Sequence, residues 1–268
     1  MTLPPPLRRI RAMLYRHACL LLGSWPRLLD LIYWPTVQMI LWGFITLFLV
    51  GQSGWVAQAA GIFLSAVLLW DTLFRGQLGV SLCFLEELYA RHLGHLFVSP
   101  LRPAELVIAN FLVSLVRVLI GVGGASLLAI PLFHFSLIGS LGWTLLPFFA
   151  VLMLFGWAIG LIIAGLVVRL GLGAESLAWA AIFFIQPFSA VYYPVATLPM
   201  AVRWIAYLLP SAPVFEGMRA VMVENRFDWA LFGQAVAVLA VWLVAGGVAF
   251  TLLFRSARRR GLLLQSGE

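Results

Sequence analysis

Long apolar runs, broken by short clusters of arginine, proline and glycine, set the pattern of this chain. A helix needs about 20 apolar residues to cross the hydrocarbon core of a bilayer. Six segments qualify: about residues 29–50, 56–83 (with two charges inside it), 105–131, 142–168, 177–192 and 229–254. They predict an all-α membrane protein with six transmembrane helices. No internal repeat, low-complexity tract or linker interrupts the series, so residues 1–268 read as a single membrane domain.

One stretch departs from the simple pattern. Residues 185–224 read IQPFSAVYYPVATLPMAVRWIAYLLPSAPVFEGMRAVMVE, apolar and aromatic enough for a bilayer. Pro187, Pro194, Pro199, Pro210 and Pro213 forbid one straight helix through it. Broken helices survive at membrane depth only where protein or a water-lined cavity satisfies their backbone. The expected solution over residues 193–226 is a pair of short re-entrant helices on the outer side, before the last span. Such an element points to a transport path and not to a simple anchor.

Composition narrows the class. The chain is 63% hydrophobic and only 10% charged, with a mean hydropathy of +1.04. A soluble domain averages about 45–50% apolar and about 25% charged, so no room is left for a separate soluble catalytic domain. All seventeen basic residues are arginine. With the N-terminus placed inside, twelve fall on the cytoplasmic side, three outside (Arg203, Arg219 and Arg226) and two, Arg75 and Arg117, within spans. The positive-inside rule then puts both termini in the cytoplasm. The net charge of +7 records that orientation and calls for no nucleic acid. The two cysteines, Cys19 and Cys83, fall on the predicted cytoplasmic side and read as free thiols. The apolar run 18–22 is too short for the h-region of a cleavable signal.

Two segments outside the spans carry a pattern of their own. In residues 8–23, Ile10, Leu14, Ala18 and Leu21 share one helical face, while Arg8, Arg9, Arg11 and Arg16 lie mostly elsewhere. This is a basic amphipathic helix within the cytoplasmic segment 1–28. It suits either an anionic leaflet or contact with a cytoplasmic partner. Residues 85–103, LEELYARHLGHLFVSPLRP, place Leu85, Leu88, His92 and Leu96 on one stripe and an i, i+4 pair, Glu87 and Arg91, on another. Ser99-Pro100 ends that helix. Pro103 and Glu105 suit the first turn of the next span. The segment reads as a short cytoplasmic helix between two spans, either a plain loop helix or a lever.

Within the spans, Asp71 and Arg75 can pair at i, i+4, and Arg117 lies in the next, antiparallel span. Charges at membrane depth face protein or water and find partners. The set reads either as a structural tie between the two spans or as a polar patch that attracts an anionic headgroup, with one arginine left over. Gly156, Gly160 and Ala164, like Gly121 and Ala125, form small-xxx-small faces for close helix packing. Aromatics crowd the first span (Trp34, Trp42, Phe44, Phe48) and the fifth (Trp179, Phe183, Phe184, Phe188, Tyr192, Tyr193). They read as interfacial belts or as a path lining. Glu216 and Arg219 form an i, i+3 pair in the proline-rich region. No GxxxxGK[ST] loop, nucleophile elbow or metal-ligand spacing occurs, and His17, His92, His95 and His134 are scattered.

Three stretches carry a family resemblance: RRIRAMLYRHACLLLGSWPRLLDLIYWP, ELYARHLGHLFVSPLRPAELVIANFL and LPMAVRWIAYLLPSAPVFEGMRAVM. In their order and spacing they resemble the permease subunits of type-two ABC exporters, over nearly the whole chain. The resemblance implies a bacterial inner-membrane protein without catalysis of its own. Two copies of it would work with two copies of a separate ABC ATPase, which would bind ATP and magnesium. The 8–23 helix would be the interface helix. Leu85, Glu86, Glu87, Leu88, Tyr89, Arg91, His92 and Leu96 would couple to the ATPase. The path would run along the interface of the two copies, near Trp34, Phe44, Phe48, Phe183 and Phe188, with Asp71, Arg75 and Arg117 beside it. The cargo would be a hydrophobic or amphipathic molecule, such as a drug, antibiotic or lipid. A lipid-linked glycan is the alternative cargo, and a non-transporting membrane assembly factor the alternative of another class.

Overall fold

A computed structural model of the chain describes residues 4–50, 56–90 and 99–261. Among the described residues all regular structure is helical, with no strand. The helices are α1 (Pro5–Leu22), α2 (Trp25–Val50), α3 (Val56–Tyr89), α4 (Pro103–Phe133), α5 (Leu137–Leu141), α6 (Leu145–Leu170), α7 (Glu175–Ile185), α8 (Met200–Tyr207), α9 (Ser211–Glu224) and α10 (Trp229–Arg259).

Local chemistry explains several of the boundaries. Proline in the first turn starts α1 and α4, where the missing N–H costs nothing. Glu105 reaches back to the Arg102 N–H at 2.9 Å and closes the first turn of α4. The Asp228 carboxylate accepts from the N–H groups of Ala230 and Leu231, so α10 begins there. Asn225, with φ of 52°, ends α9 in the left-handed conformation that asparagine tolerates.

The bundle is organised around α6. Within 137–170, 78% of the most apolar stretch is buried, against 28% for α2 and 17% for α10. Helix α6 packs mainly on α3 and α10, and α4 and α2 extend the layer from α3. The α3–α6 contact is a backbone seam, as the Gly156/Gly160/Ala164 spacing predicted. A Cβ on Gly156 would stand 2.7 Å from the Leu73 carbonyl oxygen. One on Gly160 would stand 2.8 Å from the Val80 Cβ. Ala164 is fully buried below them. Beside the seam, the Ser114 hydroxyl of α4 donates to the Gly76 carbonyl at 3.0 Å, and Trp157 stacks on Phe111 at 4.4 Å.

Among the described residues, four segments are long and apolar enough to cross a membrane: 25–48, 103–133, 137–170 and 229–259. Two expected spans look different. Helix α3 is 34 residues long but carries Asp71, Arg75, Gln77, Glu86 and Glu87 on its length. It also runs without a break from the expected span into residues 85–89, so those five residues are not a separate helix. No proline or glycine stands between Cys83 and Tyr89 to stop it. The expected span 177–192 is the 11-residue helix α7, about 16 Å long, followed by a tight turn at Gln186–Phe188. Pro187 cuts it there. The proline-rich region does form two short helices, α8 and α9.

The seam predicts a sharp contrast between glycines. Gly156→Ala forces α3 and α6 apart and should lower the thermal midpoint of the purified protein, by about 1–3 kcal/mol of stability. Gly123→Ala on α4, where nothing lies within 4 Å of the added atom, should leave it unchanged or raised. Differential scanning fluorimetry in mild detergent checks both.

Candidate functional site

One face of α3 carries Asp71, Arg75, Leu78, Leu82 and Glu86, at successive spacings of four, three, four and four. That periodicity places all five side chains on one side of a helix. They form one wall of a cavity of ≈ 480 Å³. The wall is about 22 Å long from Asp71 to Glu86 at the helical rise. Helix α2 supplies Arg27, Asp30, Leu31, Trp34 and Gln38; α4 supplies Arg117; α7 supplies Trp179 and Phe183; α1 adds Leu21.

The charges that the sequence placed within spans lie in this cavity. The Arg75 Nε donates to Asp71 Oδ2 at 2.6 Å, the i, i+4 pair read from the sequence. Arg117, left without an assigned partner in the sequence reading, is paired: its Nη2 lies 3.5 Å from Glu86 Oε1. That pair ties α4 to α3, and its members are 31 residues apart. Asp71, Arg75, Arg117, Trp34 and Phe183 are thus brought together. Phe44, Phe48 and Phe188 are not. Phe44 meets Phe133 edge-on at 5.6 Å, and Phe188 packs on Phe184. Phe48 is exposed on α2. Phe74, with ring contacts to Trp179 and Phe183 at 6.1 and 5.9 Å, lines the wall and was missed. Its place three residues after Asp71 on the same face was the available signal. Gln38, a polar residue inside an apolar run, was the signal for the α2 wall.

Below the cavity, the last turns of α3 grip three other helices. Glu86 holds Arg117 of α4. Glu87, buried, holds Arg16 of α1 at 2.8 Å. The Tyr89 hydroxyl donates to the Glu175 carboxylate at the start of α7. Leu85 is buried and Leu88 half-buried in the same collar. The bonds made by Glu86, Glu87 and Tyr89 therefore go to their own chain. Arg91, His92 and Leu96 lie outside the described residues.

Helix α1 docks against this collar and α4. Arg9 bonds both oxygens of Glu105, at 2.9 and 3.1 Å. The buried face is turned from the predicted stripe: Met13 and His17 form its centre, Ile10, Leu14 and Leu21 its edges, and Ala18 faces out. His17 is 1% exposed and Asn110 of α4 equally so. They face each other without reaching hydrogen-bond geometry. Burial, reinforced by the positive field of Arg117 and Arg16 over the opposing pull of Glu86, lowers the His17 pKa from 6.5 to about 4.

At the opposite end of the bundle, Glu216 and Arg219 pair at 3.2 Å and hold the chain between α7 and α8. Glu216 accepts from the Val195 N–H, and Arg219 donates to the carbonyls of Ala190 and Val191. Ala190 has a φ of 54°, a strained value for alanine. Among the described residues, no group of three or more His, Cys, Asp or Glu side chains comes together to hold a metal.

A protein-family model described as "ABC-2 type transporter" matches residues 10–223. The match takes in the cavity, the collar, α1 from Ile10 and the Glu216–Arg219 clamp. No curated protein was found to match the chain significantly.

The depressed His17 pKa makes α1 docking pH-dependent. The undocked helix takes up a proton near pH 6.5 that the docked one refuses until about pH 4. Docking strength is therefore complete above pH 6.5 and falls as the pH drops from 6.5 toward 4. Hydrogen exchange of α1 amides, corrected for intrinsic rates, should accelerate across that window in the native chain. In His17→Leu it should stay flat.

Proposed function

The chain belongs to the ABC-2 type transporter family, and on that premise we propose that it is the permease half of an ATP-driven exporter with the α2–α3–α4–α7 cavity on its substrate path. It is a multi-pass membrane protein and a transport subunit, not a catalytic one, and the family implies an ABC ATPase as its partner. The ATPase would supply ATP and magnesium chemistry. The observation that carries the reading is the cavity itself. Its size falls in the range of about 300–1,000 Å³ that takes a drug-sized molecule. Charged groups stand at both ends of the α3 wall, with the aromatic rings of Trp34, Phe74, Trp179 and Phe183 beside it. Such a lining suits a hydrophobic or amphipathic cargo leaving the cytoplasm or the inner leaflet. A long glycan would need a continuous lining, which this bounded cavity does not favour.

The working unit in this reading is two copies of the chain with two ATPases in a bacterial inner membrane. Both termini are cytoplasmic, following the arginine distribution. The apolar faces of α2 and α7, with Trp34, Phe44, Phe48 and Phe183 exposed, would meet the second copy. Helices α3 and α7 would complete a six-span count by crossing within that assembly, and α8 and α9 would re-enter from the outer side. The ATPase would press on the segment from Leu85 to Leu96 and on α1. The collar is built to convert that push into motion. Glu86, Glu87 and Tyr89 bond α4, α1 and α7, so a displaced α3 end moves the α4 and α7 walls of the cavity with its own.

Filling the cavity separates this reading from a passive scaffold. In proteoliposomes containing the chain and its ATPase, Leu82→Trp should cut ATP-dependent uptake of an amphipathic fluorescent dye by at least about tenfold, roughly the effect of losing 1.4 kcal/mol of binding. ATPase recovery on the permease should be unchanged. Undiminished uptake would remove the cavity from the path.

A further inference from the structure

Two of the three guanidinium groups that line the cavity, those of Arg75 and Arg117, are under-used by their carboxylates. A guanidinium presents five N–H donors in a planar fork, and a well-matched carboxylate takes two of them. Asp71 takes the Arg75 Nε, and the buried Arg75 Nη2 has no hydrogen-bond partner. Glu86 meets Arg117 only at 3.5 Å through Nη2, and the buried Arg117 Nε has no partner either. Buried donors of a charged group left unpaired cost more than neutral ones. Both residues line the same cavity, so a small turn of either fork toward an arriving anion would relieve that cost. The Glu86 Oε2 is also buried and unpartnered. An anion that settles here must therefore bring a hydrogen of its own for that oxygen. The remaining lining charges, Arg27 and Asp30, cancel in sign.

We propose that the cavity holds an amphiphile whose acidic head also carries a hydroxyl, a phosphoglycerol-type group being the fitting chemistry. The head sits at the Arg117–Glu86 end of the wall, with its acidic group on Arg117 and its hydroxyl toward Glu86, and the apolar body lies against Trp34, Trp179 and Phe183. The proposal rests on the exporter reading for the purpose of the cavity. The binding chemistry is read from the residues alone. A choline head fits poorly, because it has no N–H or O–H to offer Glu86. Free phosphate fits the head site and forgoes the aromatic wall.

The test is binding to the purified full chain in a neutral detergent. The probes are short-chain diacyl phosphatidylglycerol, diacyl phosphatidylcholine of the same acyl length, and inorganic phosphate, followed by native mass spectrometry and by the shift in thermal midpoint. The expected result is one phosphoglycerol amphiphile per chain, about tenfold tighter than the choline form, as one charge-assisted hydrogen bond at 1.5–3 kcal/mol allows. Glu86→Gln should bring the two heads to within about threefold, by turning that bond into a neutral one, and Arg117→Gln should weaken both heads alike. Equal affinity for both heads in the native chain would overturn the proposal without any variant, so a misfolded substitution cannot protect it. Phosphate that displaces the amphiphile at equal concentration would also overturn it, reducing the site to a bare anion site. Recovery of a nucleotide-hydrolysing partner is scored on the same preparation. A partner without head preference sinks the ligand class and leaves the exporter reading. Head preference without a partner does the reverse.

Discussion

The rest of the structure hangs on the closeness of α3 and α6. Gly156 and Gly160 let the two backbones meet where a single methyl group would collide with carbonyl oxygen and Cβ atoms. A helix pressed this tightly on one side has only its other side to offer. On α3 that other side carries Asp71, Arg75 and Glu86. The seam thus fixes which way the charges point, and α2, α4 and α7 leave the cavity in front of them. Small residues at a helix interface are the usual means of close packing where lipid removes the hydrophobic drive between helices.

The same helix explains how two distant regions form one device. Its middle is the cavity wall, and its end is the collar that grips α1, α4 and α7 through Glu87, Glu86 and Tyr89. The helix runs uninterrupted for 34 residues, so the wall and the collar belong to one element. The Glu216–Arg219 clamp holds the strained turn at Ala190 at the far end. One end of the bundle is therefore gathered around α3 and the other around α9. The cavity lies between them.

Much of this was legible in the sequence, and the reasons are local. The Asp71–Arg75 pair follows from helical spacing alone. So does the glycine face of α6. The two short helices of the proline-rich region follow from where Pro199, Pro210 and Pro213 fall. The Arg117–Glu86 pair was not legible, because it needs the register between α3 and α4. The phase of α1 was misjudged because the stripe was drawn through Ile10, Leu14, Ala18 and Leu21 without His17. Buried beside Asn110, it is the centre of the docked face. The break expected before Leu85 had no breaker residue behind it. The overlong fifth span, conversely, ignored Pro187, which stands where the helix stops.

The central claim is that this cavity changes its accessibility when the partner ATPase turns over. The most direct measurement is alkylation of a single cysteine placed at Trp34, in a chain whose Cys19 and Cys83 are replaced, with a membrane-impermeant maleimide. It is read in sealed vesicles of defined orientation containing the permease and its ATPase. The account predicts rapid labelling from the cytoplasmic side without nucleotide and a loss of that labelling, by about tenfold or more, when a non-hydrolysable ATP analogue closes the ATPase, equivalent to a population shift of at least 1.4 kcal/mol. Labelling at one rate in every nucleotide state would contradict it.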